Sequence, residues 1–373
     1  MRFETKAIHA GLDIHNPSKS IVPPISPSTI YEINEEGREE SDLHYTRLGN
    51  PNRLQFEHLI ATLEGGEAAA AFSSGIAAGM AVLQSLHPGD HIIIPEDVYA
   101  GNRKMVNKIM TGWGLESDFI DMTDLGNIEN HIRSNTKLIW IETPSNPLMR
   151  ITDIEAVTSL AKDHGIRTVA DNTWPTPVNQ LPLDLGVDIV LHSTSKYFGG
   201  HSDILGGALV AKKDNEWFER IKLIQKMGGA VPSPQDCWML SRSTRSLAYR
   251  MRGHNEHAEK VAHFLNDHPK VSAVIYPGLP SHPGHEVAKK QMKSFGGMVS
   301  FLVDADQKGS IAVVGRSKLI KRATSLGGVE STWEHRQSSE GEGSVTPINL
   351  IRISVGLEHP NDIIEDIDQA LGK

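Results

Sequence analysis

Chemistry enters this sequence at a lysine. Lys196 follows the apolar run DIVLHS at 188–193 and sits within Thr194-Ser195-Lys196-Tyr197, before Phe198-Gly199-Gly200-His201-Ser202-Asp203. Most lysines are solvated surface groups. One set directly after a buried strand, among hydroxyls and glycines, is placed to be a reactive amine. Asp171 closes another apolar run, RTVAD, and lies 25 residues before Lys196. A strand-end Asp by itself is a turn or cap residue. The third piece is Ser73-Ser74-Gly75-Ile76-Ala77-Ala78, serines and a glycine opening a small-residue helix. A helix start presents free N–H groups and a positive dipole end that suit a phosphate, although Ser is also an ordinary N-cap.

These residues need strands to bring them to one edge. Short apolar runs occur at 91–95 (HIIIP), 137–142 (KLIWIE), 167–171 (RTVAD), 188–193 (DIVLHS) and 206–211 (GGALVA). Helical spacing separates several of them, as at 52–63 and 154–163. Continuous apolar strands alternating with helices predict an α/β fold with a mainly parallel sheet covered on both faces. In such sheets ligands bind beyond the carboxyl ends of the strands, where Asp171 and Lys196 fall.

Residues 1–47 lack sustained periodicity and hold Pro17, Pro23, Pro24 and Pro27, which favour extended backbone. Ile21, Val22, Ile25, Ile30 and Tyr31 give this segment something to bury, so it reads as an arm laid on another surface. Residues 68–86 read as a buried loop and helix. A long helical region at 234–266 leads to the runs VSAVIYPG, GGMVSFLVDA and LIRISVG, with helices at 310–321 and 360–371. The predicted division is an arm (1–47), a large domain (48–245) and a smaller C-terminal α/β domain (246–373). Ser338–Ser344 (SSEGEGS) reads as an exposed loop.

Composition narrows the classes further. The 373 residues carry 37 Lys and Arg against 46 Asp and Glu, a net charge of −9. That balance argues against nucleic acid as the main partner. A single cysteine, Cys237, excludes an internal disulfide and reads as a buried small side chain. The start, MRFETKAIHAG, lacks an apolar signal core, and the uncharged stretch 68–86 is too polar for a membrane span, so a cytoplasmic protein is expected. His282, His285 and Glu286 lie close in sequence, but no third ligand is fixed by spacing and no metal is expected. His192 and His201, which flank Lys196, read as packing or indirect groups. The absence of GxGxxG and P-loop patterns weighs against dinucleotide and ATP sites.

One ligand accounts for the three pieces. Pyridoxal phosphate takes a lysine amine as Schiff-base partner, a carboxylate at its pyridine nitrogen, and a helix start with hydroxyls at its phosphate. The blocks DNTW at 171–174 and HSTSKYFGGHSD at 192–203 resemble the cofactor signature of the Cys/Met-metabolism pyridoxal-phosphate enzymes. YTRLGNPNR at 45–53, SSGIAA at 73–78, ETPSNP at 142–147, PGLPSHPGHEVAKKQ at 277–291, SLGGVES at 325–331 and LIRISVGLE at 350–358 match in order along nearly the whole chain.

The resemblance implies the aspartate-aminotransferase-like fold, fold type I, and a set of roles. Lys196 would carry the Schiff base and Asp171 would pair with the pyridinium nitrogen. Gly75 and Ile76 would give backbone N–H groups to the phosphate, and Ser193 and Ser195 their hydroxyls, with Thr173 also at the cofactor. Tyr45 and Arg47 would reach the phosphate from a neighbouring subunit, in a homotetramer built from dimers that share active sites. Tyr99 would stack on the ring and assist proton transfer. Asn146, Ser325 and Arg352 would hold an amino-acid substrate, Arg352 by its α-carboxylate.

The family catalyses elimination and replacement on sulfur amino acids, and the expectation is a cystathionine γ-lyase-like elimination. Cystathionine γ-synthase, cystathionine β-lyase and O-acylhomoserine sulfhydrylase are the near alternatives. An aminotransferase and a non-catalytic α/β binding protein are the distant ones. Some positions depart from the family pattern. Thr324 stands before SLGG where enzymes acting on cystathionine often have Glu. The Tyr99 block reads YAGN, and Ser195 replaces the more usual Thr. The short stretch between Glu330 and Arg352 disfavours a methionine γ-lyase.

Overall fold

The computed structural model describes residues 1–33, 35, 43–340 and 344–372, and two sheets organise them. The larger contains β1 (Ala68–Phe72), β2 (His91–Pro95), β3 (Glu116–Ile120), β4 (Thr136–Glu142), β5 (Arg167–Asp171), β6 (Ile189–His192) and β7 (Gly207–Ala211). Their order is β1-β7-β6-β5-β4-β2-β3. β2–β3, β2–β4, β4–β5 and β5–β6 pair parallel, whereas β7 runs antiparallel to both its neighbours. Every residue of β2, β6 and β7 is buried, which is why their sequences read as unbroken apolar runs.

The two strands that the apolar runs do not reveal, β1 and β3, are the two edges of this sheet. β1 reads AAAAF and β3 reads ESDFI. Alanine and acidic residues are poor strand formers, and edge strands carry small or polar residues because only one side is paired. The stretch 68–86 is therefore a strand followed by a helix, α3 (Gly75–Gln84), rather than a loop and helix.

The N-terminal segment opens with a short helix, α1 (Phe3–His9), which its sequence did not reveal. Its Pro-rich stretch is pinned to α2 (Pro51–Glu64). Asn52 accepts from the Ser26 N–H (2.8 Å) and donates to the Pro24 carbonyl (2.9 Å). The Trp238 indole donates to the Pro23 carbonyl at 2.8 Å. Ile21, Val22, Ile25 and Ile30 remain exposed.

The smaller sheet contains β8 (Val271–Ile275), β9 (Met298–Val303), β10 (Lys321–Arg322), β11 (Thr332–His335) and β12 (Leu350–Ser354), in the order β10-β11-β12-β9-β8. Helices Leu247–Asn266, Gln307–Arg316 and Pro360–Leu371 cover it through Ala258, Val261, Val313, Ile363 and Ile367. The region 234–266 is two helices, broken at Arg245 and Ser246. The helix expected at 310–321 runs Gln307–Arg316, capped by the Asp306 side chain on the Gly309 N–H. Of SSEGEGS, Ser338, Ser339 and Glu340 belong to the short helix Arg336–Glu340, and 341–343 lie outside the described residues. Among the described residues, no helix is long and apolar enough to cross a membrane.

Candidate active site

Asp171 and Glu142 end adjacent parallel strands in direct register, β5 and β4, and His192 ends β6 beside them. The chain leaves β5 through Thr173, whose N–H donates to Asp171 Oδ1 at 3.0 Å. Thr173 Oγ1 in turn accepts the Ser193 N–H at 2.8 Å, tying the exit of β5 to the exit of β6. Lys196 follows in a tight turn, with the Lys196 carbonyl accepting the Gly200 N–H at 2.7 Å.

The start of α3 faces this turn. Ser74 caps the helix, its hydroxyl accepting the Ala77 N–H at 3.1 Å and its carbonyl the Ala78 N–H at 3.1 Å. Helix geometry leaves the first-turn N–H groups of Gly75 and Ile76 without intrahelical partners. A Cβ on Gly75 would stand 2.8 Å from Ser193 Cβ, and one on Gly207 would stand 2.7 Å from the Gly75 nitrogen. Only glycines permit this approach. The result is a cradle of free N–H groups and the Ser193 side chain, which fits a phosphate. The Ser195 hydroxyl instead donates to the Gly206 carbonyl (3.2 Å) and accepts the Gly206 N–H (2.9 Å), holding the entry to β7.

The smaller sheet supplies the opposite wall. Arg352 lies in the middle of β12, opposite Glu334 of β11 and Ser300 of β9. Its guanidinium donates to Asn146 Oδ1 (2.7 Å), the Ser325 carbonyl (3.1 Å) and Glu334 Oε1 (2.5 Å). Burial and the neighbouring Arg336 bring its pKa down to about 10. Ser325 has a left-handed backbone, φ +81°, unusual for a residue with a side chain. That conformation presents its hydroxyl to the Lys196 amine at 2.5 Å while its carbonyl meets Arg352. Lys196, Ser325, Asn146 and Arg352 are thus one connected group.

The Lys196 amine is held down to about pKa 8 by burial, then by Arg352 and Arg336, against the pull of Glu334 and Asp171. A part-buried amine of perturbed basicity, with a carboxylate acting on it, is the kind of group that active sites collect. Burial raises the Asp171 carboxyl, and it raises Glu142 well above the carboxylate range, with the adjacent Asp171 charge adding to the effect. Both Glu142 oxygens accept the Tyr99 N–H, at 3.2 and 3.1 Å, which anchors Tyr99 at the head of helix Ala100–Lys108. The Tyr99 side chain is 43 % exposed, and its ring lies against Gly101 near Ile76.

Tyr45 and Arg47 lie elsewhere in the chain. The Arg47 guanidinium sits over the Tyr45 ring at 5.5 Å and donates to the Lys226 carbonyl at 2.9 Å, near the end of helix Glu216–Gly228. His282 and His285 serve local structure. His282 Nδ1 accepts the Gly284 N–H at 3.0 Å, and His285 Nδ1 lies 2.8 Å from the Pro277 carbonyl. Glu142 and Glu334 were not singled out in the sequence. Glu142 ends one of the apolar runs, a signal that was present, whereas the TWEH sequence of β11 offered none.

An amine of lowered basicity, a carboxylate at the neighbouring strand end and a phosphate cradle at a helix start define a pyridoxal-phosphate enzyme of fold type I. The chain belongs to the family described as Cys/Met metabolism PLP-dependent enzymes, whose model matches residues 4–372. It is 45 % identical to the cystathionine gamma-synthase of Mycobacterium leprae, over 98 % of this chain and 96 % of that protein. It is 42 % identical to the cystathionine gamma-lyase of Bacillus subtilis, over 100 % of this chain and 99 % of that one. The crystal structure of metB from Corynebacterium glutamicum superposes with a TM-score of 0.96 at 42 % identity, covering 100 % of this chain and 98 % of that chain.

Proposed function

We propose that this enzyme breaks the carbon–sulfur bond of cystathionine-type amino acids by elimination, in the manner of a cystathionine γ-lyase. The observation that carries the reading is the Lys196–Ser325–Arg352–Asn146 group, which sets a weakly basic amine beside a buried, fixed guanidinium. Arg352 grips the substrate α-carboxylate, and a planar guanidinium already held at three points loses little freedom in doing so. Bound pyridoxal phosphate supplies an electron sink conjugated to the substrate nitrogen. Lys196 would accept the Cα proton, and its lowered pKa keeps a share of the amine unprotonated near neutrality. Tyr99 would stack on the ring and assist proton movement, Asp171 would pair with the ring nitrogen, and Gly75, Ile76 and Ser193 would hold the phosphate.

The relatives support both elimination and replacement, since one is named a gamma-lyase and another a gamma-synthase. The second reading is therefore γ-replacement on an O-acylhomoserine by cysteine. A substrate panel separates them: cystathionine, O-acylhomoserines with and without cysteine, methionine and homocysteine. The expected result is 2-oxobutanoate, ammonia and cysteine from cystathionine. Pyruvate and homocysteine as products would mean β-elimination. Faster formation of cystathionine from O-acylhomoserine and cysteine would overturn elimination in favour of replacement.

Tyr45 and Arg47 complete the phosphate site of a second copy of the chain in this proposal. Arg47→Ala and Lys196→Ala proteins are each expected to be inactive, and mixing them is expected to restore activity in hybrid dimers. In a two-fold dimer each hybrid keeps one intact site of two, so a 1:1 random mixture recovers about a quarter of the wild-type rate. No recovery after demonstrated subunit exchange would refute the shared site.

A further inference from the structure

Glu64 breaks two stability rules at once. It is the last residue of α2, where the dipole disfavours a carboxylate, and it is fully buried. One of its oxygens, Oε2, has no partner, and the imidazole it meets, His192, is also fully buried with Nδ1 unpaired. Its other oxygen is fully engaged. Oε1 lies 2.5 Å from His192 Nε2 and accepts the Asn172 side-chain amide at 2.9 Å.

Those two contacts join the ends of two strands. His192 ends β6, and Asn172 follows β5 directly, its own N–H donating to the Leu191 carbonyl at 3.0 Å. The chain of bonds continues from Asn172 through Gln180, whose side-chain amide donates to Asn172 Oδ1 (3.1 Å) and to the Thr143 carbonyl (3.2 Å) just beyond β4. All five residues are buried. Strand alternation puts this cluster under the sheet. Asp171 shares a face with Val169, in the core beneath α3, whereas His192 shares the opposite face with Val190, in the core against α2. Phe198 closes the cluster edge-on, its ring 4.9 Å from that of His192.

We propose that Glu64 is a positioning residue for the cofactor: from the far side of the sheet it fixes the ends of β4, β5 and β6 and so sets Asp171 and the Ser193–Lys196 turn in relation to each other. A group used only for stability would satisfy both its oxygens. This one spends a buried carboxylate on tying strand ends that carry the reactive residues.

The test uses apoenzyme titrated with pyridoxal phosphate, and the holoenzyme. Glu64→Leu keeps the volume and removes the acceptor. It is expected to weaken cofactor binding about ten-fold or more, the scale on which outer partners of ligating groups act. It is also expected to alter the visible circular dichroism of the bound cofactor, which reports the ring's setting. Glu64→Gln retains an oxygen that accepts both bonds and is expected to return both readings to within about three-fold of wild type. His192→Phe keeps the carboxylate and removes the imidazole that meets Oε1, and it serves where the Leu protein fails to fold; it is expected to shift both readings the same way. A folded Glu64→Leu or His192→Phe protein with wild-type affinity and wild-type visible dichroism overturns the proposal. Because these readings need the cofactor and no substrate, they stand apart from the panel that tests carbon–sulfur elimination.

Discussion

Replacing Lys196 by alanine is expected to abolish turnover and the yellow colour of the purified enzyme together. The amine is the only reactive nitrogen in the group formed with Ser325, Asn146 and Arg352, whose guanidinium stays charged. In the proposed role, removing it takes away both the covalent tether and the proton acceptor, and the acceptor alone is worth about 10²- to 10⁴-fold. Full activity in the variant would disprove the assignment.

The same lysine yields a pH signature. Its pKa is held down to about 8. The rate at which apoenzyme takes up pyridoxal phosphate depends on the neutral amine, so it is expected to rise with pH and level off just above pH 8. An ordinary lysine would keep rising to about pH 10.4. At neutral pH the lowered value gives a larger neutral fraction by about two orders of magnitude. Uptake that climbs steadily through pH 10 would mean that burial, Arg352 and Arg336 together do not hold the amine down. Stopped-flow absorbance at fixed ionic strength measures it.

The chemistry was legible in the sequence wherever a residue's role is announced by its neighbours in the chain. Lys196 and Asp171 each end a buried apolar run, and Gly75 follows two serines at a helix start, so strand, turn and cap rules find them. Glu64, Glu142 and Glu334 act on partners brought close only by the fold: His192, Tyr99 and Arg352. No local pattern marks such residues. The fold divides along the same line. Central strands are buried on both faces and therefore apolar, whereas the edges β1 and β3 are paired on one side and take alanine or acidic residues without penalty. The break at Arg245 and Ser246 is invisible to periodicity because both flanking helices keep an amphipathic pattern.

Asp171→Asn is expected to lower kcat by about 10²- to 10⁴-fold while Glu142→Gln stays within about ten-fold of wild type, although the two carboxylates end neighbouring strands in register. Two adjacent buried carboxylates do not both ionise readily. Glu142 is raised well above the usual range by burial and by the Asp171 charge, while Asp171, also raised by burial, is drawn back by the Thr173 hydrogen bonds, His192 and Lys196. The proton therefore rests on Glu142 and the charge on Asp171. In the proposed role, a charged Asp171 would keep the pyridine nitrogen of the bound cofactor protonated and its ring electron-poor. Asparagine removes that charge and leaves a buried cation unpaired, a loss on the scale of about 3–5 kcal/mol. Glutamine at 142 copies a protonated carboxyl and still accepts the Tyr99 N–H through its side-chain oxygen. Reversal of the two effects, a severe loss in Glu142→Gln and a mild one in Asp171→Asn, would place the charge on Glu142 and make it the partner of the ring nitrogen.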